Sequence, residues 1–451
     1  MKPTLMTSAV LAFALAAGAT QAATDQQIAE LGKSLTPIGA ERAGNAAGTI
    51  PEWTGGLSPD AGSVVNGFLT NPFPDDKPLF VITSANFEQY RANLAPGQIA
   101  MFQRYPDTFR MPVYQTRRSA SMPDEIYEAA AYNARNSRLV QGGNGVTGYR
   151  SANAFPIPSN GLEVIWNHIT RYRGGSMQRV VVQATPQVNG NFSIVRFIEQ
   201  YVLPEALIDY DPARMENILY YFKQQVTDPG RLAGNVLLVH ETVDQVATPR
   251  MAWIYNAGQR RVRRAPQVSY DGPGTAADGM RTSDNLDMFN GAPDRYDWQL
   301  VGKKELYIPY NSYILNSPEH KYSDVVKAGH LNSDLTRYEL HRVWEVVATV
   351  KTNQRHIYAK RHFFFDEDSW QAAHIDHYDG RDILWRVAEA HAMHRYNSQV
   401  PGFAAETLYD LIAGRYLAMG MNNEERQDYD YNFRASSNDF TPAALRQSGV
   451  R

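Results

Sequence analysis

Residues 236–266, VLLVHETVDQVATPRMAWIYNAGQRRVRRAP, constrain the fold of this chain more than any other stretch. Their Val, Leu, Tyr and Trp fall as they do in half-buried strands, and Asn256-Ala257-Gly258 supplies a tight reversal. Strands are predicted over 236–245, 250–255 and 260–264. The same pattern recurs over 162–171, 298–309, 337–351 and 355–365. Two more hairpins are marked by Val188-Asn189-Gly190-Asn191, between 180–184 and 192–201, and by Asp379-Gly380, between 370–378 and 381–390. Strands on either side of Gly414 complete the series over 408–421. Hairpins joined as neighbours in this way predict an antiparallel barrel or strongly curled sheet.

Helical signals are sparser. Short helices are predicted over 26–34, over 84–94 with Ser84 as N-cap, and over 96–105 with Pro96 in the first turn. Ser121 precedes a helix over 122–138 whose Ile126, Ala130 and Ala134 line one face. A helix over 211–226 is capped by Asp211, has Pro212 at its first position, and carries the stripe Met215, Ile218, Leu219, Phe222 and Val226. Its place inside the strand series makes it the candidate lid. Gly and Pro interrupt 35–56 so often that this segment is expected to wrap over another element. Residues 271–294 read as a long loop, and the chain after Asn423 as a polar, mobile tail.

The first residues include Lys2, then an apolar run over 10–17 and an ending in Thr20-Gln21-Ala22. That is the pattern of a cleaved secretory signal, and the apolar run is too short to cross a bilayer. The chain has no cysteine, so neither a lipoprotein anchor nor a disulfide is expected, and packing alone must hold the core. The net charge of −3 becomes −4 when Lys2 leaves with the signal, which argues against general nucleic-acid binding. The expected location is the periplasm.

Several motifs together carry a resemblance. They are Leu35-Thr36-Pro37-Ile38-Gly39-Ala40-Glu41, Ala43-Gly44-Asn45, Trp53-Thr54-Gly55-Gly56, AWIYNAGQRRVRRAP at 252–266 and DMFNGAPDRYDWQLVGKKE at 287–305. YELHRVWEVVATV at 338–350, RHIYAKRHFFFDEDSW at 355–370 and YDGRDILWRV at 378–387 complete the set. Over nearly the whole exported chain they resemble a proteobacterial family of unknown function, family thirteen-twenty-nine. The strand pair bearing Trp253, Tyr255 and the arginines 260–264 is locally similar to outer-membrane lipoprotein carriers of LolA/LolB type.

The resemblance implies a mainly β (α+β) fold, a half-open curled antiparallel β-barrel of LolA/LolB type, with a helical lid and an N-terminal helical and loop extension. The corresponding division is a signal peptide over 1–22, the extension over 23–160, the barrel over 161–422 and the tail over 423–451. It also implies an apolar cavity that takes acyl chains, in the company of RND-type exporters and outer-membrane proteins. The chain departs from the LolA/LolB pattern in being about twice as long, with no counterpart there to its first 140 or so exported residues.

Residues two apart on a strand share a face. Trp253 and Tyr255 share one, Trp344 and Val346 another, and Phe363 and Phe365 a third that Arg361 interrupts. With Trp166, Leu219, Phe222 and Trp385 they either line a lipid cavity or fill a solid core. Arg261 and Arg263 project together, either as a headgroup or partner contact or as a solvated strand edge. His374 and Asp376 share a face opposite to His377; a metal site there needs a third ligand, and none is assigned. No nucleophile elbow or P-loop is present, and Asp366 and Asp368 are expected in a solvated turn.

The expected function is that of a non-catalytic periplasmic carrier or adaptor for lipid or another hydrophobic small molecule, without cofactor, metal or nucleic acid. The alternatives are a non-transporting adaptor of an RND-type exporter or outer-membrane protein with a filled barrel, and a periplasmic hydrolase.

Overall fold

The computed structural model describes residues 23–449, so the predicted signal peptide lies outside the described residues. The main strands are β1 Ser176–Ala184, β2 Ile194–Val202, β3 Ile218–Asp228, β4 Val236–Thr242, β5 Met251–Asn256, β6 Arg261–Arg264 and β7 Tyr296–Pro309. They continue as β8 Tyr338–Val350, β9 Lys360–Asp366, β10 Ala372–Tyr378, β11 Leu384–Arg395, β12 Val400–Asp410 and β13 Arg415–Met421. Three helices matter for the interior and its cover: α1 Pro96–Arg104, α2 Asp124–Asn136 and α3 Gly161–Thr170.

Two antiparallel meanders, β1–β6 and β7–β13, are spliced into one sheet where β13 pairs with β1. At one end β8 carries β7 along its length and, in parallel at Tyr338, the short strand Met111–Val113, on which Phe80–Ile82 pairs. The other end, β6, pairs with none of these, so the sheet is curled and open, as the hairpin series predicts. One apolar cluster draws on almost every strand, including Phe222, Leu237, Ala252, Val346, Phe363, Ile375, Ala390, Leu408 and Leu417. Side chains from strands so far apart in the order meet only if the sheet bends around them. Ile126 and Ala130 of α2 and Ile165, Trp166 and Ile169 of α3 complete that cluster.

The outer face is covered as well. Phe87, Met101, Phe102 and Phe109 pack with Val182, Tyr409, Tyr416 and Ala418. Phe440 and Leu445 pack on Tyr221, Leu238 and Tyr255. The segment after Asn423, expected to be mobile, therefore packs on the sheet; Phe440 and Leu445 are its fully buried anchors.

Two elements exchange type relative to expectation. Where the pattern predicts a strand over 162–171, the chain forms α3, Gly161–Thr170. The Asn160 side chain accepts the Glu163 N–H as an N-cap, and Leu162, Ile165, Trp166 and Ile169 follow helical spacing. Its polar side chains Glu163, Asn167 and Thr170 recur at helical spacing too, and are buried against 154–159, from whose backbone N–H groups they accept hydrogen bonds. The candidate lid is the converse case. Only Pro212–Met215 is helical, and β3 follows, with Phe222 in the inner cluster and Tyr221 in the outer one. The stripe 215–226 matched helical spacing, but Tyr220-Tyr221-Phe222 and Val226-Thr227 are strand formers, and pairing with β2 and β4 decides the outcome. The expected helix over 84–94 is likewise reduced to a 3-10 segment, Phe87–Asn93.

The Gly/Pro-rich segment 35–56 does wrap over another element: it is a strap across the β9–β10 turn. Trp370 donates its Nε1–H to the Ile38 carbonyl (3.0 Å), and Trp53 donates to the Ala120 carbonyl (3.1 Å). Arg118 holds Asp368 through two bonds (2.8 and 2.6 Å) while donating to the carbonyls of Glu41 (2.8 Å) and Arg42 (3.0 Å). Gly39 has φ 98°, and a Cβ there would fall 1.8 Å from the Pro156 carbonyl oxygen. Asp366 and Asp368 are thus buried (1% and 5% exposed), which corrects the solvated turn. Arg118, far away in sequence, brings the counter-charge for Asp368, while Asp366 accepts from the Tyr310 hydroxyl (3.1 Å) and the Ser369 hydroxyl (2.6 Å).

Candidate functional site: an aromatic cleft inside the curled sheet

Near the β1–β13 splice the inner face opens into a cleft of about 80 Å³. Cross-strand register builds its wall. Met177 of β1 stands opposite Tyr201 of β2, which stands opposite Phe222 of β3. One row along, Arg179, Glu199 and Gln224 are aligned in the same way. The first row is apolar and aromatic. The second is an ion pair with an amide: Arg179 Nε donates to Glu199 Oε2 (2.7 Å) and Gln224 Nε2 donates to Glu199 Oε1 (2.6 Å). Tyr429 and Tyr431, from the segment after β13, and Pro401, Gly402 and Phe403 of β12 close the opposite side.

Two more arginines follow α3, where the negative end of the helix favours cations. Arg171 donates to the His168 carbonyl (2.7 Å), and both Arg171 and Arg173 bind the Asp287 carboxylate. Burial opposes ionisation of Asp287, but the two guanidinium groups hold its pKa below the usual carboxylate value. Glu406, also at the cleft, behaves oppositely: burial and then the Asp287 charge push its pKa up. Burial pushes the His168 imidazole down to about 3, so it remains neutral among these cations.

Asp287 belongs to the loop between β6 and β7, which plugs the interior. Tyr270, Ala276, Asp278, Asp287 and Met288 all adopt positive φ, between 48° and 63°, a sparsely populated conformation for residues with side chains. Ion pairs hold the loop in that form. Asp284 accepts from Arg361 Nη2 (2.7 Å) and pairs with His356 Nε2 (3.0 Å), and its acidity is strengthened accordingly against the cost of burial. Beneath the loop are two smaller compartments of about 30 and 20 Å³; Leu286 borders both of these and the main cleft.

The residues singled out in the sequence separate into groups. Only Phe222 lines the cleft. Trp166, Leu219, Val346, Phe363 and Phe365 join the inner cluster and are buried in it, while Trp344, half-buried, stacks on Trp370 (5.9 Å). Trp253 and Tyr255 lie on the outer face against the C-terminal segment. Trp385 packs beside Tyr358 and donates to Asp410 (2.9 Å). Arg261 and Arg263 are exposed on end strand β6. The arginines at the cleft are instead Arg171, Arg173 and Arg179. Arg179 carries a readable signal, an Arg–Glu pair across the Val188–Asn191 hairpin; the other two needed the loop to fold back over α3.

His374 and Asp376 do share a face, bonded at 2.7 Å, and lie beneath α1. Among the described residues, His341, Asp366 and Asp368 form a cluster of metal-ligand composition, with ligand atoms within 4.8 Å of one another. Asp368 there is already engaged by Arg118 through both oxygens, and that cation competes with any metal ion.

A family model described as "Protein of unknown function (DUF1329)" matches residues 81–446. An uncharacterized protein of Pseudomonas aeruginosa is 65% identical over 449 residues, covering 99% of each chain. Among solved structures, a domain assigned to outer membrane lipoprotein sorting in Vibrio parahaemolyticus is 12% identical with a TM-score of 0.44, over 63% of this chain and 98% of that one. A DUF1329 protein from Desulfovibrio piger is 13% identical with a TM-score of 0.41, over 60% and 92%. A LolA superfamily protein from Nitrosomonas europaea is 11% identical with a TM-score of 0.37, over 63% and 98%. The architecture described above rests on the chain's own strand pairing.

Proposed function

This chain belongs to the DUF1329 family, whose description names no activity, and we therefore propose its function from the cleft itself: a periplasmic carrier or adaptor that binds a hydrophobic small molecule without transforming it. One observation carries the reading. The cleft is open and has an apolar and aromatic wall of Met177, Tyr201, Phe222, Leu286 and Phe403, while Arg171, Arg173 and Arg179 at its rim already hold carboxylates. Such a wall supports binding of an apolar body, at roughly 0.8 kcal/mol for each buried methylene. Residence in the periplasm is part of the proposal, supported by the signal-like pattern of residues 1–22. Among the described residues, no helix is long and apolar enough to cross a membrane.

The space of about 80 Å³ accommodates roughly half a dozen water-sized groups. A longer chain enters only as Leu286 and its loop give way. Titration with the neutral fluorescent hydrophobe N-phenyl-1-naphthylamine tests the reading. Saturable binding near one site per chain is expected. Gly402→Leu should weaken it, because Gly402 lines the cleft and a larger residue there narrows it, with the flexible Arg395 guanidinium end, 3.2 Å from the new Cβ, giving slightly. Saturable binding that is unchanged in this variant contradicts the assignment to the cleft.

A second reading is favoured by how full the interior is. With α3 and the β6–β7 loop inside the sheet, the protein would serve as a solid adaptor for an RND-type exporter or outer-membrane protein. Absence of saturable probe binding in the folded protein supports that reading over the first.

A further inference from the structure

Eight arginines are buried among the described residues: Arg118, Arg171, Arg281, Arg337, Arg342, Arg361, Arg386 and Arg395. Seven of them form an ion pair with a carboxylate. Arg281, 6% exposed, does not. Its one hydrogen bond is a long contact from Nη1 to the Thr282 carbonyl (3.4 Å), and its Nε–H has no partner. A buried unpaired guanidinium is among the costlier groups a fold can hold.

The fold nevertheless makes room for it. A Cβ at Gly274 would lie 2.6–2.7 Å from Arg281 Cγ, Cζ and Nη1, so the loop passes over the guanidinium only because residue 274 is glycine. Arg281 borders both small compartments under the loop, and Leu286 separates these from the main cleft. Three groups in the compartments face the cation. Glu406 and Glu199 both border the smaller compartment and favour the charged form of Arg281, but neither is ion-paired with it. Glu199 is held by Arg179 and Gln224, and Glu406, its acidity weakened by burial and by Asp287, can offer a proton. Gln224 Oε1, buried there, accepts no hydrogen bond.

We infer that Arg281 is the anion-binding group of the interior, and that it receives the carboxylate of an acidic amphiphile whose hydrocarbon part lies along Leu286 and Phe222 into the aromatic cleft. The inference rests on the proposed hydrophobe-binding function and names its ligand class. The rim arginines are excluded as the main anchor because their carboxylate partners are in place. A carboxylate is favoured over a phosphate monoester by size: compartments of about 20 and 30 Å³ hold only one or two water-sized groups each.

Displacement of N-phenyl-1-naphthylamine by dodecanoate, dodecan-1-ol and dodecyl phosphate tests this on the detergent-free protein. Dodecanoate should displace the probe at a concentration about tenfold or more below that of dodecan-1-ol, as expected for a charge-assisted hydrogen bond. In Arg281→Met that preference should vanish while dodecan-1-ol still competes. Thermal unfolding of this variant should occur at the same or a higher temperature, since an unpaired cation is removed. Arg281→Gln gives the same readout should Arg281→Met fail to fold. Equal displacement by acid and alcohol in the unaltered protein, or a preference that survives in the variants, overturns the inference while leaving hydrophobe binding intact. A preference for dodecyl phosphate overturns the carboxylate assignment. Failure of the probe to bind at all refutes the underlying reading instead.

Discussion

Gly97 shows how much can hang on one hydrogen atom. Its N–H donates to Asp376 Oδ2 (3.1 Å) at the start of α1, and a Cβ would fall 2.1 Å from Oδ1 and 2.8 Å from the Val387 methyls. Gly97→Ala should cost about 1–3 kcal/mol by overpacking, measured as a shift in the denaturant midpoint. The same carboxylate holds His374 (2.7 Å), with Glu389 at 3.4 Å on its other side. Burial opposes the imidazolium, but these two carboxylates more than offset it and raise its pKa to about 9. Because the folded value lies above the unfolded one, the stabilisation is complete below about pH 6.5 and is lost as pH rises through 9. At most it amounts to about 3 kcal/mol. Stability measured at pH 6 and pH 9.5 should therefore fall, and His374→Gln should flatten the difference. That His374 and Asp376 share a face was readable from strand alternation. Glu389 joins them through the register of the Asp379-Gly380 hairpin, but Gly97 lies 279 residues from Asp376 and left no trace in either local sequence.

At the scale of elements, hairpins were the legible part, because two-residue turns and period-two burial are local properties. β4, β5 and β6, and the pair β10 and β11, lie close to where Asn256-Ala257-Gly258 and Asp379-Gly380 put them. Legibility failed where burial was complete. In α3 even the polar side, Glu163, Asn167 and Thr170, is buried against another segment, and β3 carries a helical stripe of residues that end up on opposite faces. The strap over 35–56 could be read as a wrapping segment, but its clasp depended on Arg118 reaching Asp368. Arg118→Met should leave the Asp368 carboxylate buried without its cation, at a cost of about 3–5 kcal/mol. Hydrogen exchange should then rise within 38–53, which a purely global destabilisation would not single out. For α3, Trp166→Ala removes a ring buried to 2% and its bond to the Gly143 carbonyl (2.8 Å), and should cost about 3–5 kcal/mol.

The whole molecule is a curled sheet with both faces occupied. The inner face holds α2, α3, the β6–β7 loop and the aromatic cleft; the outer face is covered by residues 87–109 and by the C-terminal residues around Phe440 and Leu445. That explains why the fold class was readable while the site was not. The cleft is assembled from the arginines after α3, β1–β3, β12, the β6–β7 loop and the C-terminal segment, and no stretch of sequence contains more than a fraction of it. Truncation after Asn423 should expose Tyr221, Leu238 and Tyr255 and remove Tyr429 and Tyr431 from the cleft. The truncated chain should aggregate and lose the probe site together, as light scattering and fluorescence would register. The central claim, that this interior holds an apolar small molecule, is tested most directly by purifying the protein from its own cell envelope without detergent and identifying what organic solvent extracts from it by mass spectrometry. The account predicts close to one amphiphile per chain, depleted in Gly402→Leu. Protein that yields no such molecule, and whose cleft does not take up N-phenyl-1-naphthylamine afterwards, would contradict it.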